Sequence, residues 1–426
     1  MHDAGPSTGR HSLGWLFEPM TVAVTALGIT QITAWGTSYY CLGVLAAPIG
    51  RELGWSRGFV FLGFTVSVLV MGFISTLVGR LIDRIGARIV MSIGSLIVAI
   101  GLALLALVTE KWAYLAVWVL LGIGMRFCLY DAAFAALVQV APSRGRQAIS
   151  YLTLYGAFAS SVFWVVGHYL EEAMGWRQAL LVFAALNIVV CLPLHWFGLA
   201  RREAPAVASA AENEARAVAA NDALEGRART IAMGLFALVM SLNGFVFGIV
   251  SVQLVPLLEA AGLATAAAVW MASMKGVAQF GGRLVEIVFG RNLSAIVIGR
   301  ISIAIVPVSF VLLYGAQGNF AVLLMFTLLM GAAQGVLTIV RGAVPLALFG
   351  AKGYGAVLGV IATPVLLVSA ASPTLFAWII DRWGWEVGHI AIIVCAALAM
   401  VCMETMAHWH RASLRGRAAT PTIGSA

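Results

Sequence analysis

Hydrophobic and polar positions along this chain are grouped in blocks rather than alternating residue by residue. Long apolar runs are separated by short stretches rich in Gly, Pro, Arg and Asp. Twelve runs can be marked, at 21–49, 57–79, 87–108, 112–140, 147–171, 176–199, 229–258, 265–289, 293–313, 319–348, 353–380 and 386–409. A helix needs ~20 apolar residues to cross the hydrocarbon core of a bilayer. Lipid offers no partner for free backbone N–H and C=O groups, so the runs are predicted to be helices. They are too long for barrel strands and lack the two-residue alternation of such strands. They are numbered here as spans 1–12.

One segment interrupts the pattern. Residues 200–230, "ARREAPAVASAAENEARAVAANDALEGRART", are rich in Ala, Glu and Arg and poor in large apolar side chains. Such a stretch reads as an aqueous linker, partly helical or disordered. It divides the spans into six and six. The expected organisation is a tail at 1–20, a six-helix bundle at 21–199, a linker at 200–228, a second bundle at 229–410 and a tail at 411–426. With the N-terminus placed inside, eighteen Lys and Arg residues fall on the inner side and five on the outer, while Arg126, Lys275 and Arg341 belong to neither. Cytoplasmic loops carry this bias. Both termini are therefore expected on the cytoplasmic face of a cell (inner) membrane.

Composition narrows the class further. The chain of 426 residues is 62% hydrophobic and 10% charged, against about 25% charged in soluble domains. A soluble fold of this composition would leave large apolar patches in water. The net charge of +8 follows from the loop arginines, so it is a topology signal and no nucleic-acid partner is expected. The five cysteines sit in apolar runs without a CxxC pair or a His–Cys cluster, which reads as small buried apolar residues rather than a disulfide or metal framework. The N-terminus lacks a charged region followed by a short apolar core, so the first span is expected to insert directly. No nucleotide-binding Gly-Lys motif and no Ser-His-Asp set stands out. No enzyme activity, cofactor or metal is expected, and ion gradients remain as the energy source.

The two halves also resemble each other. Pro48, Gly54 and Gly36 lie over Pro256, Gly262 and Gly244, and Gly175-Trp176 lies over Gly384-Trp385. "GRLIDRIG" (79–86) lies over "GRLVEIVFG" (282–290) with one residue inserted. Duplicated six-helix halves are a transporter pattern, with substrate sites near the midplane between them.

The stretch "GRLIDRIGAR", residues 79–88, resembles the loop signature between helices 2 and 3 of the major facilitator superfamily. Gly79, Arg80, Asp83, Arg84, Gly86 and Arg88 match it residue by residue. With twelve spans, a central linker and the second copy at 282–290, the resemblance covers almost the whole chain. It implies an all-α membrane protein: twelve transmembrane helices in two pseudo-symmetric six-helix bundles. It also implies a gating role for the motif. Asp83 can pair with its neighbouring arginines and face the N-terminus of span 11, starting near Gly353, where the helix dipole is positive. The second copy departs from the pattern, with Glu286 as its acid. "RELGWSR" (51–57) and the Gly-Trp loops weakly resemble the monocarboxylate-porter and oxalate/formate-type branch. Span 5, "YGAFASSVFWVVGHYL", lacks the proline of the drug–proton antiporter signature.

Chemistry is expected where charge enters the apolar runs. "LLGIGMRFCLYDAAFAALV" (120–138) carries Arg126 and Asp131, and each charge costs roughly 2.5–3.5 kcal/mol at mid-bilayer on insertion scales. On one continuous helix they lie about 140° apart, so a direct pair is not expected and each needs a partner elsewhere. Laying Gly122 over Gly331 puts Asp131 beside the position of Arg341, which predicts an acid–cation approach between the halves. Lys275, Gln279, Arg283 and Glu286 recur at three or four residues, a polar stripe expected to face the interior. Candidate substrate contacts are Arg126, Tyr130, Lys275, Gln279 and Arg341, with Gln31 and Trp35 from span 1 and Asn243 from span 7. Aromatic and amide packing at a helix crossing is the competing reading for the last three. Asp131 is the candidate for proton coupling, or else a fixed salt-bridge partner.

The expected function is a secondary active transporter working by alternating access as a monomer in the lipid bilayer. The substrate expected from the buried cations is a small, monocarboxylate-like organic anion, coupled to protons. The alternative is an efflux permease for toxic compounds, either a trivalent metalloid such as arsenite or drugs. A non-transporting receptor or scaffold is a third reading.

Overall fold

The computed structural model describes residues 18–203, 224 and 226–418, so most of the expected N-terminal tail, the second half of the expected C-terminal tail and most of the expected linker lie outside the described residues. Among the described residues the structure is helical and has no strand. In chain order the helices are α1 (Pro19–Ala34), α2 (Leu42–Leu53), α3 (Arg57–Ile85), α4 (Ala87–Ala106), α5 (Lys111–Cys128), α6 (Tyr130–Val140) and α7 (Gly145–Gly156). Then follow α8 (Ala159–Leu186), α9 (Leu192–Gly198), α10 (Gly226–Ala260), α11 (Thr265–Phe289), α12 (Ala295–Gly315), α13 (Phe320–Phe349) and α14 (Tyr354–Ala418).

Among the described residues, eight helical stretches are long and apolar enough to cross a membrane, and local chemistry accounts for the twelve spans. The stretches Val162–Gly198 and Tyr354–Ala412 each contain a glycine with non-helical backbone, Gly175 (φ 82°, ψ 162°) and Gly384 (φ 82°, ψ 173°). An L side chain would be strained there, and each glycine separates two spans. Span 1 is cut into short pieces by a π-turn at Trp35–Tyr39, where the helix bends. Span 8 is the 25-residue α11, whose Lys275, Arg283 and Glu286 lower its hydropathy. Large apolar side chains face outward, as Phe73 (71% exposed) and Val189 (71%) do. In a bilayer that outer surface meets lipid rather than water.

The sequence repeat is a conformational repeat. Gly54 and Gly262 both have positive φ, as do Gly175 and Gly384. Gly36 lies against Phe163 of span 5, and its counterpart Gly244 lies against Val365 and Ser369 of span 11. Gly122 meets Ser67 of span 2, and Gly331 meets Lys275 of span 8. The Gly-Trp loop has a partner as well. Trp176 and Arg177 donate to Glu52 of "RELGWSR" at 2.5 and 2.9 Å, and the Arg177 guanidinium holds the Glu52 carboxyl below the ordinary carboxylate range.

The halves meet most closely where spans 2 and 11 cross. A Cβ on Gly79 would lie 2.1 Å from Gly355 O, and one on Gly359 would lie 2.4 Å from Ser75 O. Thr76 and Thr363 hydroxyls share a hydrogen bond of 3.2 Å in the same crossing. Among the described residues, every hydrogen bond between the halves lies toward the arginine-rich end or at mid-depth. The conformation is closed at that end.

Replacing Gly79 by Val would force backbone away from backbone, an overpacking cost of ~1–3 kcal/mol. The expected result is a population shift toward a state open at the arginine-rich end. Spin-label distances between positions 147 and 291 should lengthen, and an unchanged distribution would contradict the close crossing.

Candidate functional site

The two charges of span 4 are brought together by a break in its helix. Leu129 is extended (φ −82°, ψ −170°), so α5 ends at Cys128 and α6 begins at Tyr130. The break cancels the 140° separation expected on one continuous helix. Arg126 Nη1 pairs directly with Asp131 Oδ2, which corrects the sequence-based expectation. Arg341 Nη2 of span 10 reaches the same oxygen at 2.6 Å, as the repeat register leads one to expect. Asp131 also sits in the first turn of α6, where a helix dipole favours an acid. Two guanidinium groups and a helix N-terminus thus surround one carboxylate.

Breaking a helix in lipid frees backbone groups that need partners. The Cys128 carbonyl receives the Gln31 Nε2 amide at 2.8 Å. The Gln31 Oε1 accepts from Trp35 Nε1 at 3.0 Å. Gln31 is fully buried, so it holds the break and does not face open space, contrary to its expected role as a substrate contact. Arg126 is likewise 4% exposed and committed to Asp131. Arg341 differs, with 26% of its side chain exposed.

Beside the break the rings of Trp35 and Tyr130 lie 5.1 Å apart, and Trp35 and Tyr39 4.7 Å. Tyr40 joins them at 5.8 Å from Trp35. All four are half-buried. In the second half Asn243 Oδ1 accepts from Gln334 Nε2 of span 10 at 3.2 Å, which mirrors the tie from Gln31 to span 4.

The polar stripe on α11 faces inward, as its spacing predicts. Arg283 is buried and donates to Thr153 O of span 5 at 2.6 Å and to Gly335 O at 3.2 Å. Lys275 and Gln279 are half-buried. Lys275 makes no ion pair, and its Nζ lies 5.6 Å from the centre of the Phe247 ring.

At the arginine-rich end Asp83 accepts from the Gly355 and Ala356 amides, at 2.9 and 2.7 Å. These amides open span 11, so the acid caps a helix of the other half. It forms no ion pair with Arg80, Arg84 or Arg88, which corrects one expected contact. Arg80 and Arg84 are exposed, and Arg88 lies 4.2 Å from the Trp196 ring centre. Gly86 turns with φ 89°. A cavity of about 410 Å³ opens here, lined by Asp83, Arg84, Arg202 and Tyr354.

The second motif copy has its own contact. Glu286 Oε1 accepts from Arg146 Nη2 at 3.1 Å, and Arg146 also donates to Gly290 O at 2.9 Å. Arg146 stands at the start of span 5, the counterpart of span 11, so the Asp83 contact has a symmetric partner. Sequence reasoning treated Arg146 only as a loop cation and missed this; the repeat register would have found it.

The family model described as Major Facilitator Superfamily matches residues 27–313. The chain belongs to the major facilitator superfamily. It is a membrane transporter rather than an enzyme, and the all-α, two-bundle fold is that of the family. The crystal structure of the human organic anion transporter MFSD10 (TETRAN) superposes with a TM-score of 0.71 at 17% identity, over 90% of this chain and 99% of that one. At that identity the likeness concerns the fold. A putative niacin/nicotinamide transporter, NiaP of Bacillus subtilis (strain 168), is 25% identical over 191 residues. The match spans 43% of this chain and 43% of that relative, less than half the length of either.

Removing one member of a buried ion pair costs about 3–5 kcal/mol, because the other charge is left unpaired. Asp131→Leu leaves the enclosed Arg126 without its acid and should therefore lower the melting temperature of the purified protein sharply. The double variant Arg126→Met with Asp131→Leu should recover much of the loss. Equal destabilisation in both would argue against the pair.

Proposed function

We propose that this transporter moves a small, monocarboxylate-like organic anion by alternating access, coupled to protons. The observation that carries the reading is the charge balance at mid-depth. Asp131 is shared by Arg126 and Arg341, which leaves one positive charge uncompensated, and Lys275 adds another without an acidic partner. An anion supplies the missing charge and accepts the hydrogen bonds that these cations offer. The two similar proteins, one a putative niacin/nicotinamide transporter and one an organic anion transporter, support the same substrate class.

In this reading the Asp83 and Arg146 contacts form the latch at the cytoplasmic end, with both termini on that side of a cell inner membrane. Gly79 and Gly86 give the latch its tight geometry, while Arg80, Arg84 and Arg88 orient it against the membrane surface. Lys275, Gln279, Tyr130, Trp35 and Asn243 contribute to the passage. Asp131 carries the coupling proton when Arg341 moves away, since an acid left in an apolar setting favours its neutral form.

The test is uptake into proteoliposomes of labelled monocarboxylates and of arsenite, with and without an imposed pH gradient. Carboxylate uptake driven by the gradient is expected. Asp131→Asn should abolish gradient-driven uptake while sparing counterflow. Arsenite movement without carboxylate movement would overturn the reading in favour of metalloid efflux. Thiolate capture has little support: Cys41 and Cys128 hydrogen-bond to backbone, and no metal-holding group occurs among the described residues.

A further inference from the structure

The mid-depth site contains two kinds of group that the charge balance leaves unused. The first is the exposed part of Arg341. Arg126 is enclosed and cannot reach a ligand, whereas Arg341 is 26% exposed and meets only Asp131 among charged groups. Asp131 thus occupies the guanidinium of the triad that is partly exposed. The second is the ring cluster of Trp35, Tyr39, Tyr40 and Tyr130. No hydrogen bond of the three tyrosine hydroxyls occurs among the described residues, and all three residues are half-buried. Tyr130 is the neighbour in sequence of Asp131, the acid that Arg341 meets.

Partnerless hydroxyls and half-exposed ring faces beside a cation describe a ligand. It carries an anionic acceptor for Arg341 and the hydroxyls, and a flat π-surface for the rings. Aromatic pairs prefer offset or edge-to-face contact with centroids 4.5–7 Å apart, the spacing these four rings already adopt among themselves. An aliphatic acid would satisfy the cation and leave the rings with ordinary apolar contact only. Resting on the organic-anion reading above, we propose that the substrate class is the planar aromatic carboxylates. Their carboxylate replaces Asp131 on Arg341 while their ring packs against Trp35, Tyr39 and Tyr130. Asp131 is then a tethered competitor, and binding exchanges an ion pair between the halves for a protein–ligand pair.

Calorimetry on the purified full chain in lipid nanodiscs tests both parts, with benzoate, cyclohexanecarboxylate and acetate as probes. Benzoate should bind about 3–10-fold more tightly than cyclohexanecarboxylate, which is what an aromatic pair adds. In Trp35→Leu and Tyr130→Leu that ratio should fall toward one. Asp131→Asn, or Asp131→Leu combined with Arg126→Met if the first variant does not fold, should tighten benzoate binding several-fold. Equal affinity for benzoate and cyclohexanecarboxylate in the parent protein would overturn the aromatic class and leave the organic-anion reading standing. No binding of any probe would remove both. Weaker benzoate binding on loss of the Asp131 charge would overturn the exchange.

Discussion

The arrangement at mid-depth depends on the interruption of one helix at Leu129. A continuous span 4 would hold Arg126 and Asp131 on different faces, each requiring its own partner in an apolar setting. The extended Leu129 brings them together and gives Asp131 the favourable end of a new helix. Gln31 satisfies a carbonyl at the break, and the Gln31–Trp35 contact fixes the ring cluster. Charge pairing, aromatic placement and the reach of Arg341 all follow from that one residue's backbone.

Much of this was legible in the sequence, and the reasons are physical. Lipid permits few structures, so length and hydropathy suffice to mark helices. The repeat transferred information between halves: it related Asp131 to Arg341 and paired Gly175 with Gly384. The Asp83 contact with span 11 was foreseeable from an acid facing a helix N-terminus. The break at Leu129 was not. Residues 125–135 contain neither Gly nor Pro, and an apolar leucine in a helical run gives no sign of extended backbone. It is imposed by tertiary partners, Gln31 and Arg341 among them, which come from distant parts of the chain. For the same reason Gln31 looked like a recognition residue: a polar side chain in a span must serve something, and here it serves the backbone.

The arginine-rich end shows how two unlike contacts can be symmetric. Asp83 meets bare amides at the start of span 11, whereas Glu286 meets the Arg146 side chain at the start of span 5. The same positions of the fold are tied in both halves with different chemistry. The Glu286 tie also reaches the C-terminal carbonyl of α11 through Arg146, where a cation is favoured.

The crossing of spans 2 and 11 is flat because main chain touches main chain there, with Gly79, Gly355 and Gly359 offering no knobs to interlock. Parting main chain from main chain at that end disturbs few side chains. The free-energy difference between the two ends of the transport cycle is then concentrated in a few charged ties. A balance resting on so few contacts can be tipped by the arrival of a single small ion.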